Sequence, residues 1–201
     1  QVNVKAEMTF ANALRSILRQ DPDIIMIGEI RDGETASIAV RASITGHLVV
    51  STLHTNSAAT AMARLVDMGV ESYLLADSVF GVVAQRLMRR LCEWCKKAKD
   101  ASPEEMEMLG FSPDEAPKKI FEPCGCDKCG RTGYSGRIGI YEILEVTPAV
   151  RKLIHENATG DEIQRVAMEE GMQTLGMNAA QLVLQGVTSI PEMIRTTTGN
   201  E

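Results

Sequence analysis

Apolar residues recur at helical spacing at Phe10, Leu14, Ile17 and Leu18, behind Thr9, which is placed to cap a helix running to about Gln20. Asp21-Pro22 ends that helix. The uninterrupted apolar run Ile24 to Ile27, bounded by Pro22 and by Gly28-Glu29, reads as a strand buried on both faces of a parallel sheet. Asp32 is the expected N-cap of a helix from Gly33 to Ile44, and Gly46 lies where a left-handed C-cap is wanted. A second strand, Leu48 to Val50, follows, and then a helix from Ala58 to Met68, capped by Asn56 or Ser57 and stopped by Gly69. This order predicts an α/β fold. Its two strands carry Glu29 on one side, and Ser51, Thr52, His54 and Thr55 on the other, to the carboxyl edge where open α/β sheets bind ligands.

From Ser72 to about Val83 the apolar positions Leu75, Val79, Val82 and Val83 fit one helical face. From Ala84 to Leu91 the period changes to two, with Gln85, Leu87, Arg89 and Leu91 on one side, and Arg137 to Leu144 alternates in the same way. These segments are expected to pair antiparallel, with residues 92–136 as an excursion between them. In that excursion Ser102 caps a short helix through Leu109, and Pro113, Pro117 and Pro123 keep the remainder irregular. Beyond Glu145 the chain reads as helical. Thr147-Pro148 begins one helix, Thr159 with Glu162 and Ser189 with Glu192 carry capping-box signatures, and Gly171 and Gly186 are stops. The predicted organisation is an α/β part over 1–91 and 137–145, an inserted element over 92–136 and a helical subdomain over 146–201.

Composition narrows the function. A net charge of -6 argues against binding nucleic acid by broad phosphate neutralisation. No run approaches the roughly 18 apolar residues that span a bilayer, so a membrane role is expected to act through partners, without direct insertion. The five cysteines, at 92, 95, 124, 126 and 129, form an odd set in Cys-x-x-Cys pairs, which favours metal ligation in a reducing compartment, the cytoplasm, over a disulfide framework. Cys92-x-x-Cys95 and Cys126-x-x-Cys129 are two knuckles offering four thiolates to one tetrahedral ion, with zinc preferred and a structural role implied by a closed ligand set. A redox pair or unligated core cysteines are the alternatives, and Cys124 is left over.

A carboxylate at the end of a buried strand, as at Glu29, can hold a metal through water or polarise a nucleophilic water; it can equally pair with Arg31 or stand solvated. His54, with Thr52 and Thr55 at the end of the second strand, can hydrogen-bond a phosphate oxygen and reorient when it leaves, whereas His47 at the strand's start also reads as a structural histidine of the Gly46 turn. Arg31 and Arg41 are positioned to meet phosphate, or to pair with Glu29 or Asp32 and to lie on an amphipathic helix, respectively. Arg86, Arg89 and Arg90 read as a solvated or intersubunit face rather than a nucleic-acid track, and no nucleic-acid partner is expected.

The stretch Leu14-Arg15-Ser16-Ile17-Leu18-Arg19-Gln20-Asp21-Pro22-Asp23 through Glu29-Ile30-Arg31-Asp32 closely resembles the Walker B segment of the secretion ATPases, the RecA-like hexameric motors of type II secretion and type IV pilus assembly. Gly46-His47-Leu48-Val49-Val50-Ser51-Thr52-Leu53-His54-Thr55 looks like their histidine box, and Thr132 to Glu142 resembles the segment after their tetracysteine element. The resemblance runs from about Phe10 to Thr196. It implies a partial RecA-like (P-loop NTPase) sheet with a tetracysteine zinc-binding excursion and a carboxyl-terminal helical subdomain. It implies that Glu29 is the Walker B glutamate, activating water and supporting magnesium, although Gly28 stands where many P-loop enzymes carry Asp. His54, with His47, would sense the γ-phosphate, Thr52 would lie against the nucleotide, and Arg31 would assist. ATP, Mg and Zn are the implied cofactors. A homo-hexamer, an inner-membrane platform protein and other cytoplasmic components of the secretion or pilus machine are the implied partners, with the protein peripheral to the inner membrane. The tetracysteine element favours secretion or pilus extension over retraction. No Gly-x-x-x-x-Gly-Lys-Ser/Thr occurs in the 201 residues, so the P-loop is expected upstream of Gln1 and the isolated chain is expected to be inactive. A non-catalytic zinc-ribbon interaction module is the competing expectation; it explains the cysteines and leaves the Glu29 and His54 segments unexplained.

Overall fold

The computed structural model describes residues 9–112 and 114–198. The chain divides into two compact units, residues 1–82 with 144–172, and residues 83–143 with 173–201. In the first unit, helix α1 (Phe10–Leu18) is capped by Thr9, whose hydroxyl accepts from the Asn12 N–H at 3.1 Å. Strand β1 (Ile24–Ile27), helix α2 (Gly33–Ile44) and strand β2 (Leu48–Ser51) follow as a βαβ unit, and β1 and β2 pair in parallel with Ile24 opposite Leu48 and Ile27 opposite Ser51. Asp32 begins α2 by accepting from Thr35 through both backbone N–H and hydroxyl, at 2.8 and 2.9 Å. Helices α3 (Thr60–Asp67) and α4 (Ser72–Ser78) come next, and α6 (Pro148–His155) and α7 (Gly160–Glu169) return to this unit after the second. Its core holds Leu14, Ile25, Ile27, Ala36, Leu75, Leu144, Val150 and Ile163.

Strand β1 is not buried on both faces: Ile25 and Ile27 are buried, whereas Ile24 and Met26 are 63% and 66% exposed, beside Leu48 and Val50 of β2. Alternate residues of a strand point to opposite faces, and among the described residues only one face is covered. Helix α3 starts at Thr60 rather than Ala58, because Ser57 and Thr60 exchange hydrogen bonds in a turn of their own, Thr60 N–H to Ser57 Oγ at 3.3 Å. Helix α4 ends at Ser78; Val79 is already extended, and strand β3 (Gly81–Leu91) begins where helix was expected.

Strand β3 pairs with β6 (Tyr134–Glu145), and most of both strands lies in the second unit. Hydrogen bonds Val146 N–H to Phe80 O and Cys92 N–H to Gly133 O, both 2.9 Å, bracket the ladder and make it antiparallel, as expected from the alternation. The expected face of β3 does not hold to its end. Gln85, Leu87 and Arg89 are exposed but Leu91 is buried, and Arg89 and Arg90 are both exposed. The alternation slips because the strand's last residues bond to another segment: Leu91 N–H donates to Val187 O at 2.8 Å, and the Thr188 hydroxyl donates to Arg89 O at 2.8 Å. The excursion is more regular than its prolines suggest. Strands β4 (Lys97–Asp100) and β5 (Lys119–Glu122) form an antiparallel pair around helix α5 (Pro103–Met108), whose capping box uses Ser102 and Glu105. Pro113 lies outside the described residues. Helices α8 (Leu175–Leu184) and α9 (Ile190–Thr197) complete this unit, and Met88, Met106, Ile120, Ile140, Val183 and Met193 are among its core residues.

Candidate functional site

The ends of β1 and β2 place two polar side chains side by side. Past Ser51 the strand pairing continues, with Ile30 N–H donating to Thr52 O at 3.1 Å and the Thr52 hydroxyl donating to Gly28 O at 2.6 Å. Those two bonds hold the backbone on either side of Glu29. From there Glu29 Oε2 lies 3.2 Å from His54 Nε2, and its Oε1 lies 2.6 Å from an Arg31 guanidinium nitrogen. The Arg31 bond holds the Glu29 carboxyl below the usual carboxylate range against the opposing effect of burial, with a smaller lowering from His54. Glu29 is about one-third exposed, while the Arg31 and His54 side chains are 74% and 85% exposed. The carboxylate is thus ionised at neutral pH and held by two groups that can swing away without breaking packing.

The remaining residues singled out in this part of the sequence lie elsewhere. His47 Nδ1 lies 3.0 Å from Ala42 O and 3.3 Å from Thr45 Oγ1, so its ring closes the end of α2. Gly46 adopts φ 106°, the left-handed turn that separates it from that helix. Arg41 is exposed on α2.

The four knuckle sulfurs, of Cys92, Cys95, Cys126 and Cys129, all lie within 4.8 Å of one another. Three of the separations are 3.9 Å (Cys92–Cys126), 3.9 Å (Cys95–Cys129) and 3.8 Å (Cys126–Cys129). A tetrahedron with metal–sulfur bonds of about 2.3 Å has edges of about 3.8 Å, so the donor set has the size and chemistry for one zinc ion. Backbone N–H groups of Cys126 and Gly133 point at Cys129 Sγ from 3.2 and 3.3 Å and hold its thiol down to about 6, while burial, reinforced by the neighbouring thiols, pushes Cys95 up to about 12. Gly133, at φ 80°, packs where an added Cβ would come within 2.4 Å of Pro123 Cβ, which is what lets its N–H reach the sulfur. Cys124 is exposed, outside the cluster.

A third constellation was missed by sequence reasoning. Glu192, fully buried, accepts from Arg89 N–H at 2.8 Å, from Arg89 Nε at 2.9 Å and from Arg195 Nε at 2.9 Å. Burial alone would push its carboxyl up, but the bonds from Arg195 and Arg89 outweigh burial and hold it down to about 2. The guanidinium of Arg89 also lies over the Tyr134 ring, 4.2 Å from its centre. The expected capping box is therefore absent: Ser189 makes no side-chain cap, its Oγ lying 2.7 Å from Tyr134 OH, and Glu192 faces inward. A Glu at the third position of a helix after Ser carries the same signature whether it caps or is buried, so nothing in the pattern distinguished the two.

Comparison with known proteins gives these sites a context. Residues 1–195 match the family model described as "Type II/IV secretion system protein". The chain is 50% identical over 195 residues to the putative type II secretion system protein E of Escherichia coli (strain K12), covering 97% of this chain and 39% of that protein. It is 51% identical over 199 residues to the type IV pilus assembly ATPase PilB of Acinetobacter baylyi, covering 98% of this chain and 34% of that protein. Among solved structures it resembles the ADP-bound pilus retraction motor PilT, with 30% identity and a TM-score of 0.64 over 93% of this chain and 43% of that one. The chain spans about two fifths or less of the length of the two curated relatives. The match over residues 1–195 shows that the chain belongs to the type II/IV secretion system protein family.

Proposed function

We propose that this chain is the downstream part of a hexameric ATP-hydrolysing motor that powers type II protein secretion or type IV pilus assembly. The observation that carries the reading is the meeting of Glu29 and His54, 3.2 Å apart, from the ends of two adjacent parallel strands, with Arg31 on the other carboxylate oxygen. Glu29 is the Walker B glutamate. Kept ionised by Arg31, it accepts a proton from an attacking water at Oε2 once His54 has swung away. His54 senses the γ-phosphate by exchanging Glu29 for a phosphate oxygen, and its exposed ring makes the exchange unhindered. His47 acts with it by fixing the turn before β2, and Thr52 lies at the nucleotide's edge. Glu29 would also support magnesium, with acids from outside this chain contributing, and the bound ion would supply neutralisation of phosphate charge.

The apolar face of β1 and β2 that is uncovered among the described residues fits a RecA-like sheet completed by other parts of a longer protein. Residues 1–91 with 137–145 are its ATPase portion, 92–136 a zinc element and 146–201 a helical subdomain. Cys92, Cys95, Cys126 and Cys129 hold one structural zinc. The motor works in the cytoplasm, held at the inner membrane by a platform protein and other components of the machine. Because the chain has no Gly-x-x-x-x-Gly-Lys-Ser/Thr, by itself it does not hydrolyse ATP.

In the longer protein, Glu29→Gln is expected to lower ATP turnover by about a hundredfold or more while leaving nucleotide affinity within a few-fold. Wild-type turnover in that variant would sink the assignment, as would robust turnover by the 201-residue chain for its inactivity. Metal analysis is expected to find about one zinc per chain, released by thiol modification. A metal-free, fully folded protein would remove the zinc element.

A further inference from the structure

The segment from Gly186 to Glu192, which leads into α9, is bonded to the knuckle element at successive positions. Lys96, next to Cys95, donates from Nζ to Gly186 O at 3.0 Å. Leu91, next to Cys92, donates its N–H to Val187 O, and Arg89 O accepts from the Thr188 hydroxyl. Tyr134, next to the Gly133 whose N–H points at Cys129 Sγ, meets Ser189 through its hydroxyl at 2.7 Å. Glu192 then closes the series on Arg89, three residues before Cys92. Thr188, Ser189 and Glu192 are each at most 1% exposed, so these polar groups have no water to fall back on when their partners move.

We propose that metal binding at the four cysteines and the docking of α9 are one linked equilibrium, in which the Arg89–Glu192–Arg195 clamp serves as the outer support of the metal site. The inference rests on the zinc reading above. Lys96, Leu91 and Tyr134 each flank a ligand cysteine or a residue bonded to a ligand sulfur. A metal that draws the two knuckles together therefore fixes the partners of residues 186–192. Losing the metal frees the knuckles and strands buried donors and acceptors in that segment. Linkage is reciprocal: whatever α9 gains from the metal, the metal gains from α9. Groups outside the ligand set commonly support a metal site in this way.

The test is hydrogen exchange on the 201-residue chain, loaded with one equivalent of zinc and then stripped by a chelator. Amides of residues 186–198 are expected to exchange about tenfold faster or more without zinc, while those of α2 keep their rates. In the reverse direction, Tyr134→Phe, which deletes one hydroxyl and keeps the ring under Arg89, is expected to weaken zinc several-fold in competition with a chelator. Glu192→Gln is expected to weaken it about 10–100-fold. If Glu192→Gln fails to fold, the exchange experiment and Tyr134→Phe still decide. Zinc uptake with unchanged exchange over 186–198, or unchanged zinc affinity in Tyr134→Phe, overturns the linkage alone. No zinc uptake overturns the zinc reading and the linkage with it.

Discussion

Glu192 shows how much a single buried carboxylate can hold in place. Its charge is balanced by two arginines that are themselves about half exposed, so solvent screens part of each attraction, but Gln at this buried position puts an amide donor against the donors of Arg89 or Arg195. Glu192→Gln is expected to lower unfolding free energy by about 3 kcal/mol, measured by denaturant titration. The pH dependence follows from the depressed folded value. The clamp's contribution is fully present above the ordinary carboxylate value of 4.5 and is lost as pH falls from there toward about 2, so Glu192→Gln is expected to flatten the acid limb of the wild-type stability curve. Glu29 and Glu192 had opposite legibility. Glu29 stands just after an apolar run, so its place at a strand end could be read directly, although whether it pairs with Arg31 could not. Glu192 stands where a helix cap belongs, and only its partners, about a hundred residues away at Arg89, distinguish a buried clamp from a cap.

At the scale of elements, capping signals contained in one helix turn worked except before α3 and at Ser189, whose hydroxyl meets Tyr134 instead. Thr9, Asp32, Ser102, Thr147 and Thr159 all cap as their spacing predicts, because the acceptor and the free N–H lie within three residues. Boundaries failed where a turn of its own delays a helix, as Ser57 and Thr60 do before α3, or where an end bonds to a distant segment, as at the end of β3. Helix α2 illustrates the cost of such contacts: a Cβ added at Gly33 would come within 2.1 Å of Met68 O, at the end of α3, which cannot yield as a flexible side chain would. Gly33→Ala is therefore expected to destabilise by about 1–3 kcal/mol despite alanine's better helix propensity. Gly28→Ala, where nothing among the described residues lies within 4 Å, is expected to stay within about 0.5 kcal/mol in the same denaturant titration. The slip at the end of β3 has the same origin, since the partners of Arg89 and Leu91 are at 187–192.

At the scale of the whole molecule, the chain carries the acid and the histidine of the proposed ATP site but no phosphate-cradling loop motif, so its own affinity for ATP is expected to be weak. Titration of the 201-residue chain with ATP and magnesium is expected to give a Kd no tighter than about 1 mM, and tighter saturable binding would show a cradle within these residues. Periodicity and spacing by themselves determined the βαβ order, the antiparallel return of β6 on β3 and the pairing of the knuckle cysteines. Each of these is encoded in residues a few positions apart, or in a repeat of two or 3.6 that any folded context must respect. Only the tertiary structure decided which face of β1 is covered, that Glu29 is held by Arg31 and His54 together, and that Glu192 points inward to two arginines. Those outcomes depend on which distant side chain arrives within hydrogen-bond reach. A buried charge keeps its place only when such a partner arrives, so no local pattern can announce it.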